Sequence, residues 1–176
     1  TIKYIKETDI GHRKSLGQYF TPKSIREILL NKLPNTIKNP QVLDPACGTG
    51  EFLITAKKYF NNPKLEGWDI DKKLADIAKE LIPAANIKTS DALLDKEYEK
   101  YDFVIGNPPY YEFAPSEILR QKFANVMNGR VNIFGLFIHQ GINLLKEGGY
   151  LAYVVPPSMN NGAYFSKVRK FIAENS

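Results

Sequence analysis

The sequence has 176 residues, of which 43% are hydrophobic, and a net charge of +5. This length and composition fit one compact domain and exclude a disordered chain. A single cysteine, Cys47, and two histidines provide neither a disulfide framework nor a Cys/His metal site, and no apolar run approaches the ~20 residues of a membrane span. We therefore expect a cytoplasmic protein without a metal and without membrane contact.

The positive charge is concentrated at the start of the chain. Residues 1–38 hold eight Lys and Arg against three Asp and Glu, whereas the remainder is balanced at sixteen against sixteen. A basic segment is able to meet a phosphate backbone, although surface lysines more often form a solvated face. Charge alone leaves both interpretations open.

Short apolar runs alternate with longer segments at helical spacing, which predicts an α/β domain with a parallel sheet and crossover helices. A first helix is expected to begin at Thr21-Pro22, with the threonine as N-cap, and to bury Ile25, Ile28, Leu29 and Leu33. After a linker at 31–40, strands are predicted at 41–43, 65–68, 86–89, 103–105 and 150–155, with helices at 51–60, 72–81 and 133–146. Residues 111–130 form a long connection, part of it helical, over the strand ends.

The segment from Asp44 to Gly50 joins the first strand to a helix. Its small residues allow a tight turn and let a ligand approach the backbone. It matches neither a G-x-G-x-x-G dinucleotide fingerprint nor a phosphate loop with Gly-Lys-Ser/Thr. Because an aspartate precedes the glycines and no lysine follows, the turn suits a cationic, amino-bearing ligand; a merely tight strand-to-helix corner is the alternative.

Two further carboxylates follow the second and third strands. Asp69 is placed to accept hydrogen bonds from both hydroxyls of a ribose. Asp71 competes for that role, but its position before Lys72 fits a helix cap better. Asp91 is placed to accept from an adenine amino group. Since strand carboxyl ends meet at one edge of such a sheet, Asp44, Asp69 and Asp91 together indicate a nucleoside site.

The fourth strand leads into Asn107-Pro108-Pro109-Tyr110. Two prolines fix φ and remove two donors, so the loop is rigid and presents acceptors. The Asn107 side-chain oxygen and the Pro108 carbonyl are together able to accept both hydrogens of an amino group, and Tyr110 offers a flat face to a planar base. A proline-stiffened strand exit is the alternative. His139, among apolar residues of a helix, is interpreted as a packed side chain.

These motifs, with Gly17-Gln18-Tyr19-Phe20-Thr21-Pro22, resemble those of the amino-group DNA methyltransferases, adenine-N6 type, of bacterial restriction-modification systems. The resemblance covers residues 17–172. It implies a Rossmann-like, S-adenosylmethionine-dependent methyltransferase fold, mainly parallel with helices on both faces. It also implies methyl transfer from S-adenosylmethionine to adenine N6 in double-stranded DNA, with base flipping, and a restriction endonuclease as partner or fusion.

The resemblance also assigns roles to particular residues. The catalytic residues would be Asn107, Pro108, Pro109 and Tyr110. The cofactor would be bound by Tyr19, Thr21, Asp44, Ala46, Cys47, Gly48, Gly50, Asp69, Ile70, Asp91, Ala92 and Asn107.

The motif order resembles the gamma class, because the N-terminal motif comes first and only 63 positions separate Asp44 from Asn107. Residues 1–40 would hold the basic segment and first helix, and 41–176 the catalytic domain, with 17–40 part of the same unit. A target-recognition domain and the family's last strand hairpin would be absent, and we expect a monomer. Asn-Pro-Pro-Tyr also occurs in methyltransferases of protein glutamine and of RNA guanine; a cofactor-binding module inactive on its own is a further alternative.

Overall fold

The computed structural model describes residues 20–96, 98–127, 129 and 131–176, with only the backbone of Tyr164. Tyr19 and the rest of segment 1–19, including most of the N-terminal motif, lie outside the described residues. The described part forms a five-stranded parallel sheet with helices on both faces, and a two-stranded antiparallel sheet beside it. This confirms the predicted fold class.

The elements follow one another in the order predicted for the main sheet. They are α1 (Lys23–Leu30), β1 (Gln41–Asp44), α2 (Glu51–Tyr59), β2 (Lys64–Asp69), α3 (Lys72–Leu81), β3 (Asn86–Thr89), β4 (Tyr101–Gly106), β5 (Glu112–Phe113), α4 (Glu117–Lys122), β6 (Val131–Asn132), α5 (Ile133–Leu144), β7 (Leu145–Tyr153), α6 (Ser158–Asn161), a 3-10 turn (Ala163–Phe165) and α7 (Ser166–Glu174). No helix in this part of the chain is long and apolar enough to cross a bilayer.

The strand order β3-β2-β1-β4-β7 places a topological switch between β1 and β4. The chain first adds strands on one side of β1 and then crosses to the other side with β4. Leu43 of β1 is paired with Val104 of β4 at this point. Because ligands of open α/β sheets bind outside the strand carboxyl ends at such a switch, the ends of β1 and β4 mark the expected site.

The sheet is buried on both faces. Leu43 and Val104 point into a core shared with α5 and α7. Val42 and Phe103, their neighbours along the strands, point into a second core shared with α1, α2 and α3. Alternate residues of a strand face opposite sides, so each short strand contributes to both cores. The strand ends therefore extend from a sheet that is packed against helices on both faces.

The long connection 111–130 has structure of its own, as far as it is described. Strand β5 pairs with β6 in antiparallel fashion, with Phe113 opposite Val131. Along the chain, helix α4 comes between these two strands. It is capped by Ser116, whose hydroxyl accepts a hydrogen bond from Leu119 N at 3.4 Å. The prediction of a partly helical connection is confirmed.

Two predictions about the first helix are wrong. The helix begins at Lys23, with Pro22 rather than Thr21 at the N-cap position and no side-chain cap bond. Of the four residues predicted to be buried, Leu33 is buried and Leu29 is partly buried, but Ile25 and Ile28 are 42% and 56% exposed, whereas Leu30 is fully buried. The helix packs on α2 through a different face, on which Arg26 Nε donates to Thr55 Oγ1 at 3.0 Å.

The last predicted strand and the helix before it are shifted. Helix α5 ends at Leu144 rather than at residue 146. Strand β7 begins at Leu145 and ends at Tyr153, whereas residues 150–155 were expected. The pairing with β4 is irregular at the start of β7, because Leu145 is opposite Tyr101 and Tyr150 is opposite Phe103, so that β7 has extra residues within this stretch.

Candidate active site

A cavity of about 230 Å³ lies at the carboxyl ends of β1, β2, β3 and β4. It brings together most of the residues that were predicted to form a site. Those that line it are Thr21, Asp44, Ala46, Cys47, Gly48, Asp69, Ile70, Asp91, Ala92, Asn107 and Pro109. Gly50, Pro108 and Tyr110 are not among its lining residues.

The turn after β1 is fixed by backbone hydrogen bonds, and it contains two glycines with positive φ. Cys47 N donates to Trp68 O at 2.8 Å, which ties the turn to β2. Gly48, at φ +54°, has no atom within 4 Å of the place where a Cβ would stand, so its open side is available to a ligand. Gly50, at φ +85°, turns the chain into α2, and a Cβ there would lie 2.5 Å from Ile82 Cδ1.

Asp44 lines the cavity and is only 1% exposed. Its Oδ1 accepts a hydrogen bond from Ala46 N at 3.1 Å. Burial raises the pKa of this carboxyl to about 8, an effect to which the nearby carboxyls of Asp69 and Glu51 add. A cationic group at this point would stabilise the charged form.

Asp69, at the end of β2, connects the turn after β1 with the start of α3. Its Oδ2 accepts from Gly48 N and its Oδ1 from Asp71 N, both at 2.8 Å. Burial raises its pKa to about 6, partly offset by these two hydrogen bonds. Asp71 itself caps α3, because its Oδ1 accepts from Lys73 N at 2.9 Å. The interpretation of Asp71 as a helix cap is confirmed.

The side of the cavity beyond β2 is formed by Ile70 and the turn after β3. Ile70 is 68% exposed although it is apolar, so one face of its side chain is open at the cavity. Asp91 Oδ1 accepts from Leu93 N at 3.0 Å, which folds the turn on itself. An apolar wall next to a carboxylate suits a flat base that carries an amino group.

The Asn-Pro-Pro-Tyr loop leaves β4 next to Asp44. A Cβ on Gly106 would lie 2.6 Å from Asp44 Oδ1, so the absence of a side chain permits this approach. The Tyr110 hydroxyl donates to Asn107 Oδ1 and also lies 2.5 Å from the Val154 carbonyl oxygen. Burial raises the pKa of Tyr110 to about 12, so the hydroxyl keeps its proton at neutral pH.

The ring of Tyr110 is not directed into the cavity. It packs edge-on against Phe134, at 6.0 Å between ring centroids and an interplanar angle of 84°. The predicted acceptor on Asn107 and the predicted stacking face on Tyr110 are therefore engaged with each other and with the core. The sequence pattern did not indicate this arrangement.

Other lining residues were not predicted individually. One group comes from the connection and from α5 and forms an apolar wall: Tyr111, Phe113, Leu119, Ile133 and Phe137. The others are Phe20, Pro45, Thr49, Glu51, Phe52, Leu74, Ser90 and Leu93. The available signal was the aromatic content of a long connection directly after the Asn-Pro-Pro-Tyr loop.

His139 takes no part in the cavity. It stacks on Phe171 at 4.4 Å between centroids and meets Phe123 edge-on at 5.0 Å. Burial lowers its pKa to about 4, so the ring is neutral at physiological pH. Its interpretation as a packed residue is confirmed. Among the residues described, no group of three or more His, Cys, Asp or Glu is placed to hold a metal ion.

The sequence matches a protein-family model and several known proteins over nearly its whole length. The family model described as Eco57I restriction-modification methylase matches residues 13–176. Modification methylase CviBIII of Paramecium bursaria Chlorella virus NC1A is 32% identical over 177 residues, covering 98% of this chain and 46% of that protein. Type II methyltransferase M.CvrRI of Paramecium bursaria Chlorella virus XZ-6E is 30% identical, covering 99% of this chain and 45% of that protein. The chain thus spans about half the length of these relatives.

Solved structures agree with this assignment. A protein of Listeria monocytogenes, described as a class I S-adenosylmethionine-dependent methyltransferase, superposes with a TM-score of 0.81 at 28% identity, over 98% of this chain and 56% of that one. A type I restriction-modification methyltransferase subunit of Streptococcus thermophilus shares the fold with a TM-score of 0.74 at 18% identity, over 98% of this chain and 46% of that one. The chain has the fold of the S-adenosylmethionine-dependent methyltransferases and belongs to the Eco57I restriction-modification methylase family.

Proposed function

We propose that the protein transfers a methyl group from S-adenosylmethionine to the N6 amino group of adenine in double-stranded DNA, within a restriction-modification system. One observation carries the proposal: Asn107 lines the same cavity as the buried carboxylates Asp44 and Asp69. Residues suited to an amino-bearing nucleoside cofactor and a residue suited to a target amino group therefore face one space.

The cavity fits this cofactor in charge and shape. Asp44 would hold the ammonium group, because a cation offsets the cost of a buried carboxylate whose pKa lies at about 8. Asp69 would accept from the ribose hydroxyls, Asp91 from the adenine amino group, and Ile70 would pack against the base. When bound, S-adenosylmethionine supplies an electrophilic methyl group on its sulfonium.

Asn107 and Pro108 would orient the target. A base stacked in a duplex cannot reach the cavity, so the adenine has to be rotated out of the helix. The Asn107 Oδ1 atom and the Pro108 carbonyl would then accept the two amino hydrogens and favour a pyramidal nitrogen with a more available lone pair. Direct transfer requires alignment above all, which a rigid Pro-Pro loop provides.

The choice of adenine in DNA rests on two supports. The Gly17-to-Pro22 motif is similar to that of the DNA enzymes, and the relatives matched over nearly all of this chain are described as modification methylases or type II methyltransferases. Protein glutamine amides and guanine amino groups in RNA remain the competing substrates, since the Asn-Pro-Pro-Tyr loop recognises only the amino group. Direct comparison of the three substrates in one assay distinguishes them.

The test uses the full-length protein, because the relatives are about twice as long as this chain. Transfer of labelled methyl groups to unmethylated duplex DNA is followed by nucleoside analysis for N6-methyladenine. We expect Asn107→Ala to lower turnover by about 10³-fold or more, with cofactor affinity changed by no more than a few fold. Asn31→Ala, at an exposed helix end away from the cavity, is the matched control and should leave both quantities unchanged.

Each outcome is informative. Turnover retained by Asn107→Ala would refute the assigned role of this side chain. Methylation of glutamine or of RNA guanine, but not of DNA, would refute the substrate. An equal loss of cofactor affinity and turnover would mean that Asn107 acts on the cofactor rather than on the target.

A further inference from the structure

The turn after β3 is held from outside the cavity by a lysine of the long connection. Lys122, the last residue of α4, donates from Nζ to the Leu93 carbonyl oxygen and to the Asp95 carbonyl oxygen, both at 2.9 Å. These two acceptors lie 29 and 27 residues away in sequence. The contacts therefore join two separate segments of the chain at the edge of the cavity.

Lys122 is placed for this contact rather than for solvent. Its side chain is partly buried, and Nζ lies 5.3 Å from the centroid of the Phe123 ring. Burial lowers its pKa, with Asp95 and Asp91 acting in the opposite direction. A lysine that gives up hydration to bind two carbonyl oxygens is better fixed than one on an open surface, because a charged donor forms stronger hydrogen bonds.

Leu93 connects Lys122 to the cavity. Its carbonyl receives Lys122 Nζ, and its own N–H donates to Asp91 Oδ1 at 3.0 Å. Gln140, fully buried on α5, adds a hydrogen bond from Nε2 to the Asp95 carbonyl at 3.3 Å. The turn is thus held by two helices behind it, and Asp91 is oriented by the same residue that Lys122 holds.

We propose that Lys122 is a positioning residue for the adenine side of the cofactor site, which acts by fixing the turn in which Asp91 meets the adenine amino group. The inference rests on the role given to Asp91 under the proposed function. It also means that α4, in the connection over the strand ends, and the cofactor site depend on each other energetically. Such coupling acts equally in both directions.

The experiment compares two ligands that differ at a single position of the base. S-adenosylhomocysteine carries the 6-amino group, and its 6-deamino analogue, whose base is purine, carries a hydrogen there and keeps N1 as an acceptor. Calorimetry on the full-length protein measures both affinities for the wild type, Lys122→Met, Lys122→Arg and Asp91→Ala. Lys170→Met serves as the matched control, since Lys170 lies on the surface of α7 and forms an exposed pair with Glu174.

We expect Lys122→Met to weaken S-adenosylhomocysteine binding about tenfold and to leave binding of the 6-deamino analogue nearly unchanged, so that discrimination between the two is largely lost. Lys122→Arg, which keeps a cationic donor, should restore part of it. Asp91→Ala should abolish discrimination, and adding Lys122→Met to it should cause little further loss. The control should behave as the wild type.

Three results would overturn the inference, and they are distinguishable. If Lys122→Met weakens both ligands equally, the lysine only stabilises the fold. If Asp91→Ala loses discrimination while Lys122→Met keeps it, Asp91 has its proposed role but Lys122 does not position it. If Asp91→Ala still discriminates, the role of Asp91 in the proposed function is wrong and the role of Lys122 falls with it.

Discussion

The hydroxyl of Tyr110 donates a hydrogen bond to Asn107 Oδ1, the atom proposed to accept from the target amino group. The same hydroxyl lies 2.5 Å from the Val154 carbonyl oxygen, and the ring packs against Phe134. We expect the ring to leave this position when Tyr110 stacks on a target base. That movement would also release the Asn107 oxygen, so that the two roles proposed for the loop would become available together.

Tyr110→Phe should therefore favour the target-bound arrangement. The variant keeps a ring for stacking but loses a hydrogen bond that stabilises the arrangement without target, worth about 1 kcal/mol. We expect a KM for DNA lowered by about fivefold, with kcat unchanged within experimental scatter. Steady-state methylation kinetics, together with fluorescence of 2-aminopurine at the target position, measure both effects.

Two further variants serve as comparisons for Tyr110→Phe. Tyr110→Ala loses the stacking face and should weaken target binding by about 1–3 kcal/mol. Tyr98→Phe removes a hydroxyl from a tyrosine that is 55% exposed, and should change nothing. A higher KM in Tyr110→Phe would show that the hydroxyl stabilises the bound state instead.

The sequence predicted those parts of the site that depend on strand ends. Asp44, Asp69 and Asp91 follow three adjacent parallel strands, so their meeting at one edge follows from the fold class. The contact of Tyr110 with Val154, 44 residues later, depends on how β7 lies beside β4, and no local pattern indicates it. The reach of Lys122 to Leu93 likewise depends on the path of the connection.

The first helix shows a second feature that the sequence alone does not determine, namely which face of a helix is buried. Its apolar residues occur at more than one helical spacing, and the predicted stripe through Ile25 and Ile28 is as regular as one that ends in Leu30. Only the packing partner decides between them: α2 presents Thr55 to Arg26, and the face that carries Leu30 turns inward. Amphipathic spacing predicts a helix but does not identify its neighbour.

The two carboxylates at the ends of β1 and β2 should respond in opposite directions to the same substitution. Asp44 uses Oδ1 for one backbone N–H, so an asparagine keeps that bond and removes a buried charge. We expect Asp44→Asn to stabilise the ligand-free protein by about 1–2 kcal/mol at pH 8 and to weaken cofactor binding. Urea unfolding and calorimetry provide the two measurements.

Asp69 is the matched comparison. Both of its oxygens accept backbone N–H groups, so the amide of an asparagine necessarily faces one donor with another. Asp69→Asn should therefore destabilise the ligand-free protein by about 1–3 kcal/mol. If both variants shift stability in the same direction, the hydrogen-bond arrangement described for the two carboxylates does not determine their energetics.

The raised pKa of Asp44 predicts opposite pH trends for stability and for binding. Its folded-state pKa, about 8, lies above the ordinary value of 3.8, so its contribution to stability is present at low pH and is lost as pH rises toward 8. The ligand-free protein should thus become less stable between pH 6 and 8. Affinity for an ammonium-bearing cofactor should increase between pH 6 and 7.5, because it requires the charged carboxylate.

Thermal unfolding at each pH and calorimetry in buffers of different ionisation enthalpy check both trends. Binding at pH 6.5 should release close to one proton from Asp44. In Asp44→Asn both pH dependences should flatten, apart from what Asp69 contributes around its pKa of about 6. Proton uptake on binding would contradict the assignment.

Alanine substitutions at Gly48 and Gly148 separate two effects: the free energy needed to hold alanine in a left-handed conformation, and the loss of affinity caused by a side chain in the cofactor site. Both have positive φ, +54° and +72°, and at both a Cβ would meet no atom within 4 Å. Only Gly48 lines the cavity. Alanine at either position should therefore destabilise the protein by a similar amount, about 1 kcal/mol, whereas cofactor affinity should fall at least tenfold in Gly48→Ala and stay unchanged in Gly148→Ala.

The comparison of unfolding free energies with calorimetric affinities isolates the steric contribution, because backbone strain is common to both variants. Equal affinities in the two variants would mean that the cofactor does not pass over the open side of Gly48, and that the turn after β1 serves only to lead the chain into α2.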